Sequence, residues 1–557
     1  MYRPSFKFLA GTDRLGDTMR RFKEKIISLL LIGIFIIIAC SSEGAPLSPS
    51  EPMSTATVGT PLPTLTPTPQ GLSTPVTYGS DIEAFPAGVN PLTGLQVKDP
   101  NLLSTPAMAM SISHFPVAAR PQSGLSFAPW VFEFYITEGA TRFLGIFYGQ
   151  FPESEIPITG DCAVRHEPFV QTSTLLGNRI WLDENQNGRQ DDYEKGVGGV
   201  CVNLYDAANQ LLQQTVSDSN GYYGFNVEPG SYIVEFKLPA WLNFTQKDVG
   251  DENLDSDVDQ ASGRADASVS AAHLYLDAGL IPSAEVSQPV SDATQMPPAE
   301  VGPIRSGRLI YMDIHEFFLN SCFVFASASP EILDRLPQCY LVPHDEASGG
   351  AMVTIEKMKA LAEENRETRS GDFNYASNVF SEIPPAGGWV ANRVNTYVAY
   401  RNQSAFVYDP LSGSYWRYVD DTTQENAGVL HAEIDKLTGR QLQFENIIVL
   451  EVDQEVFKFK GELVPTLIDW NMGLGNGGFA YLFRDGMKYD IRWSTKARDY
   501  EKETGQARPI YFVDADGTPI PLKPGRTWIF VASPYSFVTN QMDGSWTVRY
   551  IPPEGAK

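Results

Sequence analysis

Short runs in which apolar and polar residues alternate fill the middle of the chain, from Leu175 to about Pro282. They include "NRIWLD", "VCVNLYD", "LLQQTVSD", "YYGFNV", "SYIVEFKLP" and "AHLYLDAGL", and turns rich in Gly, Asn and Asp separate them. Alternation with a period of two buries one face of each strand, and short strands at this spacing are typical of two packed sheets. The pattern predicts an all-β sandwich over residues 175–282.

The pattern on either side of this block differs, because strand-like and helix-like stretches are mixed. Strands such as "WVFEFYI" and "SCFVFASAS" occur with helical stretches such as "SPEILDRL" and "TIEKMKALAEENRE", which predicts an α+β or α/β domain. Beyond residue 376 the strands are separated by "LSG", "RDG" and "DADG", which are hairpin signals, so this part is predicted to be mainly β. The predicted fold class is therefore multidomain.

A short apolar run near the N-terminus indicates export. "IISLLLIGIFIII" (residues 26–38) follows a basic stretch and precedes Ala39 and Cys40. The run is shorter than the about 20 residues that a membrane span needs. These features are typical of a signal peptide, and "IIAC" resembles a bacterial lipobox, so we expect residues 1–39 to be removed and Cys40 to be lipidated. Translation could start at Met1 or at Met19.

The residues that follow Cys40 are dominated by Ser, Thr and Pro up to about residue 84. Such a segment cannot bury enough apolar surface to fold, so it is predicted to be a tether. The formal net charge of the chain is −25, which argues against nucleic acid as a partner. The sequence thus predicts a body held at the outer face of the bacterial cytoplasmic membrane, in the cell envelope.

"DENQNGRQDDYE" (residues 183–194) fits the spacing of a calcium-binding loop. Calcium prefers six to eight oxygen ligands, and alternate residues of a tightly turning loop can all point inward. Asp191 binds directly or through water, Arg189 offers its backbone carbonyl, and Gly188 permits the turn. The candidate ligands are Asp183, Asn185, Asn187, Arg189, Asp191 and Glu194. The alternative is a polar surface turn.

Two further acidic stretches lie in the same block, which has 17 Asp and Glu against 6 Lys and Arg. "DVGDENLDSDVD" (residues 248–259) adds Asp251, Asp255 and Asp257 as candidate calcium ligands, with a solvated acidic loop as the alternative. Asp218 is a weaker candidate, and its alternative role is to cap the backbone of its own turn. A bound cation would neutralise the repulsion among these carboxylates.

Residues 175–282 resemble the SdrD B-like domain of serine-aspartate repeat adhesins, a Cna-B-like fold. The resemblance rests on "LLGNRIWLDENQNGRQDDYEKGVGGVCVNLYD", "TVSDSNGYYGFNVEPGSYIVEF" and "VGDENLDSDVD". It implies that acidic loops bind calcium as a stabilising cofactor. It also implies an adhesive or spacer role rather than catalysis.

The flanking sequence resembles the YerB-like lipoprotein family, a domain of unknown function with a C-terminal partner domain. The motifs are "NPLTGL", "HFPVAARPQSGLS", "TEGATRFLGIF", "VGPIRSGRLIYMDI" and "FVYDPLSGSYWRY". In that family "TEGATRF" is followed closely by "GPIRS", which implies that the SdrD B-like domain is inserted into a host domain. The implied divisions are host residues 85–165 and 298–375, a linker at 283–297, and a C-terminal domain at 376–557.

The host motifs place charged residues among apolar strands. The candidate ligand-binding residues, with His114 nearby, are Arg120, Glu133, Glu138, Arg142, Arg305, Arg308 and Asp313. One interpretation is a pocket for a carboxylate or phosphate group, and the other is a buried network of ion pairs. Standard catalytic motifs are missing from the sequence, although Glu133 and Glu138 could form a hydrolase pair. We therefore favour a protein without catalytic activity.

Aromatic residues of the C-terminal part have two interpretations, a sugar-binding face or a β core, and the core is favoured. They are Tyr408, Tyr415, Trp416, Trp493 and Trp528.

Four cysteines remain after the predicted lipidation site, and the sequence leaves their pairing open. Cys201 lies in the alternating strand "VCVNLYD" and is interpreted as a buried free thiol. Cys322 with Cys339 is the favoured pair, and Cys162 has no assigned partner.

Together these observations predict a lipid-anchored binding or scaffold protein with a calcium-stabilised inserted domain. Its possible partners are a cell-wall polymer or a surface protein. The alternative is an envelope hydrolase or transferase that uses the Arg/Glu cluster of the host domain.

Overall fold

The structure is a computed structural model in which strands predominate. It describes residues 77–79, 81–270, 274–286, 296–343, 350–369, 371–421, 428–457 and 467–554. The predicted signal peptide, Cys40 and most of the predicted tether lie outside the described residues. All described residues belong to one compact unit, Ser73–Lys557. None of the helices within the described ranges has the length and apolarity required for a membrane span.

The strands are numbered in chain order. Before the predicted sandwich come β1 (Tyr78–Gly79), β2 (Met108–Ser113), β3 (Trp130–Thr137) and β4 (Ala140–Phe147). The central block has β5 (Thr174–Leu182), β6 (Cys201–Asp206), β7 (Leu211–Val216), β8 (Tyr222–Val227), β9 (Gly230–Lys237), β10 (Leu242–Phe244), β11 (Arg264–Val269), β12 (Leu274–Tyr275) and β13 (Ala278–Pro282). After it come β14 (Glu300–Ile304), β15 (Cys322–Ala326), β16 (Tyr340–Val342) and β17 (Ala351–Thr354).

The C-terminal strands are β18 (Val379–Phe380), β19 (Trp389–Val390), β20 (Arg393–Ala399), β21 (Asn402–Asp409), β22 (Ser414–Asp420), β23 (Leu430–Ala432), β24 (Gln443–Phe444), β25 (Asn446–Glu451), β26 (Gln454–Phe457), β27 (Leu467–Trp470), β28 (Gly477–Arg484), β29 (Met487–Ser494), β30 (Tyr511–Val513), β31 (Thr527–Ala532), β32 (Phe537–Asn540) and β33 (Ser545–Arg549). The α-helices are α1 (Ile310–Phe317), α2 (Pro330–Leu333), α3 (Ile355–Thr368) and α4 (Asp499–Thr504). Short 3-10 helices cover Ile82–Ala84, Pro100–Ser104, Val117–Ala119 and Leu125–Phe127. The described part of the chain is therefore mostly β.

The strands of the central block form two sheets around one apolar core. One sheet has the order β11-β9-β6-β7, and the other has the order β10-β13-β5-β12 with β8 also paired to β5. Val202 and Val234 from the first sheet pack in one cluster with Leu176, Ile180 and Tyr223 from the second. The predicted all-β sandwich is present, although β10 and β11 have no counterpart among the predicted strands.

Outside the sandwich, a larger sheet joins strands from distant parts of the chain. Its order is β16-β15-β2-β4-β3-β31-β25-β28-β29-β19. β3 lies between β4, its antiparallel hairpin partner, and β31, which runs parallel to it with Phe132 paired to Ile529. β14 meets the end of β2, where Ile304 pairs with Ile112. Residues before the inserted block and residues of the C-terminal part therefore share one sheet and one core.

Helices α1 and α3 contribute side chains to this core. Ile314 and Phe317 of α1 and Met358 and Leu361 of α3 are buried in it. Thr354 begins α3 by accepting a hydrogen bond from the Lys357 backbone N–H at 3.2 Å, which satisfies one of the unpaired donors of the first turn. The helical stretches "SPEILDRL" and "TIEKMKALAEENRE" are confirmed by α2 and α3.

The predicted "RDG" hairpin and the β3–β4 hairpin are both closed by two-residue turns. Asp485 and Gly486, of the predicted "RDG" turn, have φ values of 52° and 68° and join β28 to β29. Glu138 and Gly139 have φ values of 48° and 81° and join β3 to β4. Two positive φ angles in a two-residue loop match the right-handed twist of the flanking strands. Another sheet of the C-terminal part has the order β23-β22-β21-β20-β33-β32, and β24 also pairs with β22.

The described part of the chain contains two disulfides, Cys162–Cys201 and Cys322–Cys339. The favoured pairing of Cys322 with Cys339 is confirmed, and the interpretation of Cys201 as a free thiol is wrong. The strand period explains the error, because Val202 is buried in the core while Cys201, one residue earlier, faces outward. There it meets the segment before the sandwich, whose Cys162 N–H donates to the Gly199 carbonyl at 2.9 Å.

Candidate functional site

The acidic loop of the sandwich starts immediately after β5. Asp183 is fully buried, and its carboxylate accepts hydrogen bonds from the backbone N–H groups of Asn187 at 3.1 Å and Gly188 at 2.9 Å. The Thr245 hydroxyl donates to the same carboxylate at 2.6 Å. Gly188 has a φ of 76°, so the loop reverses sharply at the position where the spacing predicts a glycine turn.

The remaining candidate ligands of the loop are held by hydrogen bonds to one another. The Asn185 and Asn187 amides donate to Asp191 Oδ2 at 2.7 and 3.2 Å. Glu194 closes the loop by accepting from the backbone N–H groups of Glu184 at 2.8 Å and Asp191 at 3.1 Å. The pattern positions that the calcium spacing identifies are therefore neighbours in space.

The second acidic segment runs beside the loop. Arg189 forms a β-bridge with Asp255, and the Gln190 N–H donates to the Leu254 carbonyl at 2.6 Å. Asp251 lies at a local turn, where its carboxylate accepts from the backbone N–H of Asn253 at 3.1 Å.

The carboxylates of this segment repel one another. Burial, together with Glu252 and Asp248, raises the pKa of Asp255 to about 6. Burial, opposed by a hydrogen bond from the Asp277 backbone N–H, raises the pKa of Asp257 to about 7, and Asp255 adds to the increase. Burial also raises the pKa of Asp277 well above its usual range. Asp277 is not among the ligands predicted from the sequence. The only sign of its burial there is that an acidic residue stands in the apolar stretch "LYLDAGL".

The chemistry of these residues fits a calcium ion, but their arrangement is not a closed site. Asp183, Glu194 and Asp255 are buried carboxylates, and none of them forms an ion pair with a lysine or arginine of the described residues. Oxygen donors of this kind are the ligands that calcium prefers. Within the described ranges, no three acidic, histidine or cysteine side chains converge on one point.

Asp218 does not belong to this group. Its carboxylate accepts hydrogen bonds from the backbone N–H groups of Asn220 and Tyr222 at 2.8 and 2.9 Å, and Arg165 lies 3.0 Å away. The alternative interpretation, an aspartate that caps its own turn, is confirmed.

The charged residues of the host are divided between two faces of the large sheet. In the β3–β4 hairpin Glu133 pairs with Phe143, whereas Phe134 pairs with Arg142. Successive residues of a strand point to opposite faces, so Glu133 and Arg142 cannot share a pocket.

On one face Glu133 lies in a closed polar network. It is 1% exposed and accepts hydrogen bonds from Thr141 at 2.9 Å and from the Trp528 indole at 3.1 Å, and Arg417 Nη2 lies 3.5 Å away. Arg417 is also buried and pairs with Glu433. Arg417 and Glu433 were not predicted from the sequence, where 15 residues separate them and no local pattern relates the two.

His114 and Arg120 extend this network. Because the Thr141 hydroxyl donates to Glu133, it accepts from Nδ1–H of His114 at 2.7 Å. Arg120 Nη2 then donates to the unprotonated Nε2 at 2.6 Å. Burial, followed by the charges of Arg120 and Arg417, lowers the pKa of His114 well below its usual range, which agrees with a neutral ring.

The other face of the sheet holds Arg142, with Arg305 and Arg308 nearby. Arg142 is 4% exposed, and its Nε and Nη1 have no hydrogen-bond partner among the described residues. Burial, and then the charges of Arg308 and Arg305, lower the pKa of Arg142 to about 9. The Arg305 backbone N–H donates to the Ser111 carbonyl at 2.8 Å, which fixes this segment beside β2.

Glu138 and Asp313 lie apart from both groups. Glu138 is exposed in the β3–β4 turn, so it does not face Glu133. Asp313 of α1 accepts from the backbone N–H groups of Met472 at 2.7 Å and Gly473 at 2.8 Å. Burial, opposed by these hydrogen bonds, raises the pKa of Asp313 to about 6.

The favoured core interpretation of the C-terminal aromatic residues is confirmed. Tyr415, Trp416, Trp493 and Trp528 are buried, and the half-buried Tyr408 packs against Tyr415 with ring centroids 5.3 Å apart.

Family models match three parts of the chain. Residues 92–160 match the N-terminal domain of a protein of unknown function, DUF3048, and residues 394–529 match its C-terminal domain. Residues 174–280 match the SdrD B-like domain.

Curated relatives match the SdrD B-like part. Serine-aspartate repeat-containing protein F of Staphylococcus epidermidis is 44% identical over 82 residues, which is 14% of this chain and 5% of the relative. A fibrinogen-binding protein of Staphylococcus epidermidis is 42% identical over 87 residues, 15% of this chain and 8% of the relative. Serine-aspartate repeat-containing protein D of Staphylococcus aureus is 42% identical over 90 residues, 16% of this chain and 7% of the relative. The chain thus spans less than a tenth of these relatives.

Among solved structures, the YerB protein from Bacillus subtilis aligns with 80% of this chain and 96% of its own length, at 17% identity and a TM-score of 0.39. In the order of the chain, the three family matches have the SdrD B-like part in the middle. The chain therefore contains an SdrD B-like domain between the N-terminal and C-terminal domains of DUF3048.

Proposed function

We propose that this chain is an exported, lipid-anchored protein of the bacterial cell envelope with a binding or scaffold role. The match of residues 174–280 to a domain of serine-aspartate repeat proteins is the observation that carries this proposal. In this proposal the DUF3048 parts form an α+β host body, and the SdrD B-like domain is an adhesive or spacer module. Its partners are a surface protein or a cell-wall polymer.

Calcium is the proposed cofactor of the SdrD B-like domain. Asp183, Asn185, Asn187, Asp191 and Glu194 would supply side-chain oxygens, and Arg189 would supply its carbonyl. Asp255 and Asp257 would contribute from the neighbouring segment, and Asp251 from its edge. A bound cation would stabilise the loop by offsetting the repulsion that raises the pKa of Asp255 and Asp257.

The position of the loop supports a structural role for the ion. Lys98 forms an ion pair with Glu184, and the Gln96 N–H donates to Asp192 at 2.7 Å. The candidate calcium loop is therefore in contact with the DUF3048 part of the chain. Calcium would fix the loop and, through it, the orientation of the inserted domain on the host body.

An envelope hydrolase that uses Glu133 and Glu138 has less support. Glu133 is buried, accepts hydrogen bonds from Thr141 and Trp528, and forms an ion pair with Arg417, whereas Glu138 lies at an exposed turn. A carboxylate pair for glycoside hydrolysis must face the same bond.

Calorimetric unfolding of the whole protein, in calcium and in chelator, tests the proposal. Calcium at ten- to hundredfold excess over its Kd is expected to stabilise the wild type by about 1.4–2.7 kcal/mol. The double variant Asp183→Ala/Glu194→Ala is expected to lose this increase. Asp259→Asn is the matched control, because Asp259 is an exposed carboxylate of the same acidic segment and is not a proposed ligand. An equal calcium effect in the double variant would remove the loop from the proposal.

A further inference from the structure

The register of β2, β3 and β4 brings Arg142 to the layer between the large sheet and α1. Ser113 pairs with Arg142, and Ser111, two residues away on β2, faces the same side of the sheet. Phe134 pairs with Arg142 on its other side and packs against Tyr311 of α1, with ring centroids 5.9 Å apart. The Arg142 side chain therefore points toward the start of α1.

The chain segment before α1 places a second arginine in this layer. The Tyr311 backbone N–H donates to the Arg308 carbonyl at 3.1 Å, so Arg308 belongs to the turn that begins the helix. Tyr311 is held in place because its hydroxyl donates to the hydroxyl of Ser111. Arg308 is half-buried, and its Nε has no hydrogen-bond partner among the described residues.

Among the described residues, no carboxylate forms an ion pair with either of these two guanidinium groups, although buried arginines normally require one. Arg142 is 4% exposed, and two of its nitrogens have no hydrogen-bond partner among the described residues. A buried charge without a partner destabilises the folded state. Apart from burial, the pKa of Arg142 is lowered by Arg308 and Arg305 and raised by Tyr311, and none of these three groups is a carboxylate. The Glu133 face of the same sheet differs, because there Arg417 is paired with carboxylates.

We propose that Arg142 and Arg308 bind a phosphate-type dianion at the start of α1. A dianion neutralises both guanidinium groups, whereas a carboxylate would neutralise only one. The partial positive charge at the N-terminus of a helix also favours an anion there. Arg308 is only half-buried, so solvent can reach the site from the Arg308 side. The ligand is either free phosphate or a phosphomonoester of a larger envelope molecule, and this proposal is independent of calcium binding.

Titration calorimetry of the whole protein with inorganic phosphate, glycerol 3-phosphate and acetate tests the site. The wild type is expected to bind phosphate at least about tenfold more tightly than Arg142→Met and Arg308→Met, and more tightly than it binds acetate. Comparable binding of glycerol 3-phosphate would identify the phosphomonoester as a ligand, and binding of inorganic phosphate alone would identify the free ion. Arg492→Met is the matched control, because Arg492 is an exposed arginine and is expected to leave binding unchanged.

The unfolding temperature separates this role from a structural one. Without phosphate, Arg142→Met is expected to be at least as stable as the wild type, because the substitution removes an unpaired buried charge. Absence of phosphate binding by the wild type, unchanged binding in Arg308→Met, or equal binding of acetate and phosphate would each overturn the proposal. Loss of folding in Arg142→Met without phosphate would also contradict it.

Discussion

Asp218 of the inserted domain and Asp409 of the C-terminal part are both buried and share one guanidinium group, that of Arg165. Arg165 Nη2 lies 3.0 Å from Asp218, and its Nη1 lies 3.7 Å from Asp409. Two carboxylates therefore compete for one cation between the two parts of the protein. Burial, opposed by Arg165 and reinforced by Asp409, raises the pKa of Asp218 to about 7.

This arrangement predicts a pH dependence of stability. A carboxyl group whose pKa is raised on folding stabilises the protein fully below its unfolded pKa of about 4. That contribution is lost as the pH rises to about 7, with a slope of at most about 1.4 kcal/mol per pH unit. Asp218→Asn should reduce the decline of the unfolding free energy between pH 5 and pH 7, as denaturant titrations would measure. Asp259→Asn, at an exposed site, should not; an unchanged slope in Asp218→Asn would disprove the assignment.

The buried pair of Glu133 and Arg417 predicts a strong effect on folding. Arg417→Met leaves Glu133 and Glu433 buried without their cation, which is expected to cost about 3–5 kcal/mol of unfolding free energy. Arg366→Met is the control, because its pair with Glu363 is exposed, and it should produce no measurable change. A stable Arg417→Met variant would show that this network contributes little.

The two disulfides predict separate losses of stability. Replacing Cys162 and Cys201 by Ala opens a loop of 39 residues, which is expected to cost about 4 kcal/mol if chain entropy dominates. Replacing Cys322 and Cys339 opens a loop of 17 residues, with an expected cost of about 3 kcal/mol. Denaturant unfolding of both double variants and of their combination should give additive losses. A single variant, Cys162→Ala, should expose one free thiol to a thiol reagent, and no reaction would contradict this pairing.

The predicted lipid anchor on Cys40 can be tested without the structure. Cys40→Ser should abolish incorporation of labelled fatty acid and move the protein from the detergent phase to the aqueous phase. Ser42→Ala should leave both unchanged. A Cys40→Ser protein that remains in the detergent phase would indicate another membrane attachment.

The sandwich and the hairpins could be predicted because their signals are local. Alternating residues define β5, β6, β8 and β9, and Asp485-Gly486 defines its own turn. The pairing of Phe132 with Ile529 could not be predicted, since no local pattern relates two strands nearly 400 residues apart. Helix α1 was also missed, because "LIYMDIHEFF" has apolar residues at spacings that suit a strand or a helix.

The candidate sites were predictable in composition but not in grouping. Asp183 and Glu194 lie within twelve residues of sequence, so their place in one loop follows from the sequence, whereas calcium binding there stays a prediction. The prediction of one charged group in the host was wrong. Glu133 and Arg142 belong to opposite faces of the sheet, because neighbouring residues of a strand point in opposite directions. The role of Arg417 could not be predicted, because only the folded structure brings its strand, β22, close to Glu133 of β3 and Trp528 of β31.

The parallel pairing of β3 with β31 also has a consequence for the order in which the protein folds. The strands of the sandwich are contiguous in the chain, so this domain can fold without any residue beyond 282. The large sheet must wait for residues 527–532, and closing so long a loop slows its formation. The SdrD B-like domain is thus expected to fold before the large sheet of the host is complete. β3 and β4 would stay exposed until the last strands have paired with them.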